Sequence, residues 1–231
     1  MDIDSMRCVA RIRTDYNEKF GIPRQSGLVP EALGRIVFEP EFRSDDALRG
    51  LEGFSHIWLI WEFSESVKQD WSPTVRPPRL GGNVRMGVFA TRSPFRPNPI
   101  GLSVVKLEEI RRGTAEGTVL IVSGADLLDG TPILDIKPYV PYADSIPDAR
   151  GGFASAAPDA SLAVEFPEAL LEKVPTEKRA ALRAVLALDP RPRYQDDPAR
   201  VYGFRFAGLE IRFRVQADTL TVLSVEPAAD A

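Results

Sequence analysis

His56-Ile57-Trp58-Leu59-Ile60-Trp61-Glu62-Phe63 is the most hydrophobic stretch of the 231-residue chain, and its reading decides the fold. A membrane helix needs about 18 to 20 apolar residues in a row, and this run meets an acid at Glu62. It reads instead as a strand, because β-branched and aromatic side chains crowd a helix but pack well on a pleated surface. The same signal recurs at residues 7–13, 34–39, 86–91, 100–110 and 117–124, between punctuating Gly, Pro, Asn and Asp. The first two thirds are therefore β-rich. Helical signals there are short, the best being Ser44 as a cap before residues 45–49, stopped by Gly50.

Residues 151–158 are small and flexible in composition, which divides the chain into a domain at 1–150, a linker-like segment at 151–164 and a smaller unit at 165–231. In that second unit, Leu182, Val185 and Leu186 recur at helical spacing after Thr176 as a cap, and Asp189-Pro190 ends the helix. Leu209, Ile211, Phe213 and Val215 then alternate with Glu210, Arg212 and Arg214, and a turn at Ala217-Asp218 leads into residues 219–226. This is an antiparallel meander with one wet face. The expected fold class is mostly β with a small α+β C-terminal domain. A doubly wound sheet is excluded by the missing alternation of strands with long helices.

One cysteine, Cys8, and one histidine, His56, leave no internal disulfide and no nitrogen or sulfur ligand set for a transition metal. No secretory pattern opens the chain, and the expectation is a soluble cytoplasmic protein with neither metal nor membrane partner. The net charge of −4 speaks mildly against nucleic acid, but the distribution reverses this. Residues 71–107 contain no acid and carry Arg76, Arg79, Arg85, Arg92, Arg96 and Lys106, a local charge of +6. A solvated charged loop is the plain alternative. Prolines at 73, 77, 78, 94, 97 and 99 stiffen the segment, however, and stiff arginine-rich loops suit a polyanion.

Three further segments hold candidate chemistry. Pro23-Arg24-Gln25 sits between Gly21 and Gly27; Asp126 and Asp129 flank a loop ending Gly130-Thr131-Pro132, directly after a buried-looking strand; Asp135 and Lys137 face one way on the next strand. Each has a structural counterpart reading, as a turn, an Asx cap and a surface ion pair respectively. His56, at a strand end, reads first as a structural residue. No nucleophile elbow, dinucleotide fingerprint or phosphate loop is present.

Pro23-Arg24-Gln25, residues 53–58, residues 76–83, the arginine-proline run at 87–101 and residues 126–132 together closely resemble, in the same order, the TrmO-like (YaeB-like) family of tRNA methyltransferases. The resemblance spans about residues 7–145, with a weaker echo at residues 188–194. It departs from the family pattern at Thr14-Asp15-Tyr16 and most of all in the C-terminal part. It implies a β-barrel methyltransferase outside the Rossmann class, acting as a homodimer. The implied reaction moves a methyl group from S-adenosylmethionine to N6 of threonylcarbamoyladenosine beside the tRNA anticodon. The implied cofactor pocket comprises Pro23, Arg24, Gln25, His56, Ile57, Arg92, Leu102, Asp126, Leu127, Leu128 and Asp129. Arg76, Arg79, Arg85, Arg96 and Arg191 are the expected contacts to the anticodon loop, and Asp135, Lys137 and Tyr139 the expected groups near the acceptor. Two rival readings use the same loops: a non-catalytic RNA-binding or S-adenosylmethionine-sensing module, and a small-molecule methyltransferase.

Overall fold

Alternation of side chains along strands builds the first core. The computed structural model describes residues 6–67, 70–155, 161–191 and 197–228. In chain order its strands are β1 (Ala10–Arg13), β2 (Leu33–Phe38), β3 (His56–Glu62), β4 (Thr74–Val75), β5 (Met86–Gly87), β6 (Ile100–Thr114), β7 (Gly117–Ser123) and β8 (Pro132–Pro138). A short helix α1 (Pro141–Asp144) follows. Six strands close into an antiparallel barrel in the order β1-β2-β7-β6-β3-β8. Every second residue of β3 points inward, so Ile57, Leu59 and Trp61 join Ile12, Ile36, Leu120 and Ile133 in the interior. The barrel is filled, and sites can form only at its ends or outside.

The second unit contains β9 (Ala163–Glu165), α2 (Glu168–Leu171), α3 (Thr176–Ala187), β10 (Tyr202–Phe206), β11 (Leu209–Gln216) and β12 (Thr219–Pro227). Its sheet runs β10-β11-β12-β9, with β9 parallel to β12 and the rest antiparallel. Phe204, Phe206, Phe213, Leu182, Leu186 and Leu220 form its core. Three members of that core come from the other end of the chain: Tyr16, Val29 and Ala32. The connection from β1 to β2 leaves the barrel, enters the second unit and returns.

Several local expectations change. Residues 86–91 were expected to be one strand, yet only Met86–Gly87 pairs, against β4, before Val88–Ala90 turns in a 3-10 helix. Residues 45–48 are likewise 3-10, with no hydrogen bond from Ser44's side chain. Pro175 takes the cap position before α3, leaving Thr176 as its first residue. β9 begins inside the stretch expected as linker, because the edge of β12 offers it backbone partners. No helix of the described residues is long and apolar enough to cross a membrane.

Candidate functional site

One end of the barrel opens into a cleft of about 770 Å³. Its floor follows from a single missing side chain. A Cβ on Gly101 would lie 2.2 Å from the Trp61 ring, so only glycine lets β6 pass beneath that indole. Trp61 is nearly buried and packs at 4.2 Å against the tilted ring of Phe63. Its Nε1 donates to Ser103 Oγ at 3.0 Å, and the Ser103 hydroxyl donates to Asp126 Oδ1 at 2.6 Å. Burial pushes the Asp126 carboxyl above the usual carboxylate range, and the Ser103 hydroxyl and the Arg92 charge partly offset it.

Two loops wall the cleft. Residues 22–25 form one, with Ile22, Pro23, Arg24 and Gln25 all lining it. Their position is fixed at Gly27, whose N–H donates to the Gly124 carbonyl at 2.8 Å. Gly124 has φ +75°, and a Cβ there would press at 3.1 Å on the Gly27 backbone. The opposite wall is the arginine-proline run, from which Phe89, Arg92, Arg96 and Asn98 face the space. Arg92 Nη1 donates to Gln25 Oε1 across the gap, and Arg96 Nη1 to the Thr91 carbonyl at 3.1 Å.

Of the expected cofactor residues, the cleft therefore gathers Pro23, Arg24, Gln25, Arg92, Leu102, Asp126 and Leu128. It does not gather Ile57 or Leu127, which are fully buried in the barrel core. Asp129 also lies elsewhere: its carboxylate accepts from the Thr14 amide at 2.9 Å and meets Arg13 at 3.5 Å, tying the loop to the end of β1. His56 stands at the far end of β3 from Glu62, which lines the cleft, about 20 Å away at the rise of a strand.

Asp135, Lys137 and Tyr139 do not reach the cleft either. Asp135 and Lys137 pair with each other at 2.9 Å on the exposed wall of β8. Tyr139 packs beside Trp58 and His56 in a shallow second depression. Among the arginines, Arg76 and Arg85 project from the β4–β5 hairpin, where Arg85 Nη1 donates to Thr74 Oγ1 at 2.9 Å; Arg79 follows β4 in a 3-10 turn. Arg191 was expected on RNA, but its guanidinium grips Asp189 through two bonds of 2.8 and 2.9 Å and its side chain is 11% exposed. Among the described residues, no group of three or more His, Cys, Asp or Glu is placed to hold a metal ion.

Trp61, Ser103, Glu62 and Lys19 are cleft or floor residues that sequence reasoning passed over. A signal for Ser103 existed: it is the polar member of the inward series Gly101, Ser103, Val105 on a strand.

A family model for the tRNA-methyltransferase O N-terminal domain matches residues 11–145, and one for the TrmO C-terminal domain matches residues 159–228. The chain is 46% identical over 224 residues to a tRNA (adenine(37)-N6)-methyltransferase of Escherichia coli (strain K12), covering 94% of this chain and 95% of that one. It is 45% identical over 230 residues to a putative S-adenosylmethionine-dependent methyltransferase of Pseudomonas aeruginosa, covering 96% and 97%. A solved structure of TrmO from Pseudomonas aeruginosa superposes with a TM-score of 0.78 at 40% identity, covering 97% of each chain.

Proposed function

The chain belongs to the TrmO family, and we propose that its cleft brings S-adenosylmethionine to N6 of threonylcarbamoyladenosine beside a tRNA anticodon. It is an S-adenosylmethionine-dependent tRNA methyltransferase. The observation that carries the proposed site is the convergence of Arg24, Arg92 and Asp126 on one cleft beside an acid-free arginine segment.

The cleft's donor set fits the cofactor. Its volume lies within the roughly 300 to 1,000 Å³ typical of small-ligand sites. Arg24 and Arg92 offer planar forks for a carboxylate, Asp126 an acceptor for an ammonium or a ribose diol, and Ile22, Phe63 and Leu102 apolar surface for a base. When bound, S-adenosylmethionine supplies an electrophilic methyl group on a sulfonium. The protein's own work is orientation, since the acceptor nitrogen must lie in line with that carbon; good alignment is worth up to about 7 to 11 kcal/mol. Arg76, Arg79 and Arg85 on the hairpin, with Arg96 at the rim, are the proposed phosphate contacts.

A homodimer in the cytoplasm belongs to the same proposal. The outer barrel face beside α1 offers exposed Tyr142 and Ile146, in and after that helix, as apolar area for a second copy to cover. His56 lies on that face, and Trp58 beside it is tied to α1 through Asp144 at 3.1 Å. The domain division at residues 151–164 carries two amendments: β9 begins inside that segment, and the C-terminal core includes the 14–32 connection.

Labelled S-adenosylmethionine and tRNA carrying the threonylcarbamoyl group should yield label in the anticodon loop; no label on modified or unmodified tRNA would defeat the proposal. Each lost phosphate contact lowers the log-log salt slope of binding by roughly 0.7 to 0.9, so Arg76→Ala and Arg79→Ala should each flatten it. An unchanged slope in both would remove the hairpin from the phosphate contacts.

A further inference from the structure

The wall of the cleft formed by Pro23-Arg24-Gln25 is held from behind by the C-terminal unit. After β1 the chain makes a strand bridge from Tyr16 to Phe206, with the two rings edge to face at 5.9 Å. The Ala207 amide donates to the Asp15 carbonyl at 2.9 Å, the Arg205 amide to Glu18 Oε1 at 3.0 Å, and Lys178 Nζ to Asp15 Oδ2 at 2.6 Å. Phe20 then meets Phe204 edge to face at 6.2 Å. Gly21 follows at φ +91°, and the Phe204 ring occupies the space 2.5 Å from where its Cβ would be. Two residues later the chain is at Pro23, in the cleft.

These contacts have no counterpart in what the barrel alone would need. A connection running from residue 14 to residue 32 costs conformational entropy to order, and a ligand that must order it loses affinity by that amount. Packing Tyr16, Phe20 and Gly21 on the aromatic face of β10 orders it beforehand. We infer that Phe204 is a positioning residue for the donor site, acting through Gly21 to set the Pro23-Arg24-Gln25 wall against Arg92. The inference rests on the cleft being the S-adenosylmethionine site.

The test compares two core substitutions in the full chain. Phe204→Leu removes the ring behind Gly21 while keeping an apolar residue. Leu220→Ala hollows the same core two strands away, on β12, where its neighbours in register are Val215 and Val164. Phe204→Leu should raise the Kd and KM for S-adenosylmethionine on the order of tenfold, with kcat within about twofold, while Leu220→Ala lowers Tm at least as far and leaves Kd unchanged. An unchanged Kd in folded Phe204→Leu, or an equal rise in Leu220→Ala, would overturn the inference. If the wild type binds no S-adenosylmethionine, the donor-site reading fails first. The clamp is then decided by hydrogen exchange at residues 22–27: faster in Phe204→Leu than in Leu220→Ala supports it, and equal rates overturn it.

Discussion

The two ends of β3 hold the same kinds of residue in opposite circumstances. At the Trp61 end an indole, a hydroxyl and an acid form a chain, Trp61 to Ser103 to Asp126, beneath a cleft. At the His56 end an indole again bonds an acid, Trp58 to Asp144, and Tyr139 packs alongside at 5.9 Å. Asp135 and Lys137 form their ion pair nearby in open solvent. The difference is access to water. A carboxyl withdrawn from water feels each neighbour strongly and its proton affinity moves, whereas an exposed pair is screened. Residue type alone therefore does not mark the cleft end of the barrel; burial of a polar group that could have been apolar does.

The strongest way to break this contrast is to fill the space under Trp61. Gly101→Val must displace the indole, because even a Cβ would stand 2.2 Å from it. Overpacking of this kind costs about 1 to 3 kcal/mol or more, which for a chain of this size lowers Tm by roughly 2 to 4 °C per kcal/mol. Loss of S-adenosylmethionine binding should accompany it, since the floor of the cleft moves. A thermal melt and a titration check both; a variant that melts and binds like the wild type would show that the floor is not built on that glycine.

Asp126→Asn sharpens the contrast. Burial raises this carboxyl's pKa above the ordinary aspartate value of 3.8, so the folded state holds the proton more tightly than the unfolded chain does. Its contribution to stability is neutral in acid, declines as pH rises through the ordinary carboxylate range and the raised folded value, and stays unfavourable at neutral pH. Asparagine keeps an oxygen for the Ser103 hydroxyl and has no charge to desolvate. The variant should melt above the wild type at pH 7, with the gap closing near pH 4, while donor binding weakens. A variant less stable at pH 7 would mean that the buried carboxylate is net stabilised and that the two ends differ less than their geometry implies.

The barrel was legible because β3 and the first half of β6 alternate cleanly and β7 is a short, nearly continuous apolar run, and the meander because Leu209 to Val215 alternates as well. The arginine-proline wall was legible from charge and proline alone. The floor was not. Gly101 fits Trp61 only through the register of β6 against β3, which pairs those two residues across 40 positions of sequence. Nor was the path of residues 14–32 through the C-terminal core: Tyr16, Val29 and Ala32 look like ordinary loop apolar residues until a second unit is there to bury them. His56 and Ile57 show the converse. Their motif reads as one unit, yet alternation sends Ile57 into the core and His56 to the outer wall.

The smallest effects belong to the outer end. In Tyr139→Phe the ring keeps its packing on Trp58 and His56 and only the hydroxyl is lost. In Asp135→Asn the broken partner is Lys137, with side chains 49% and 62% exposed, so solvent replaces the contact. Both variants should keep kcat within about twofold and leave Tm unchanged, because neither group faces the cleft and exposed pairs contribute little. Steady-state kinetics on threonylcarbamoylated tRNA decide this. A tenfold fall in kcat, without a fall in Tm, would place the outer wall at the reacting atoms. In a filled barrel that can happen only if a second copy lays its cleft against this face, so the mildest pair of substitutions also tests the proposed homodimer.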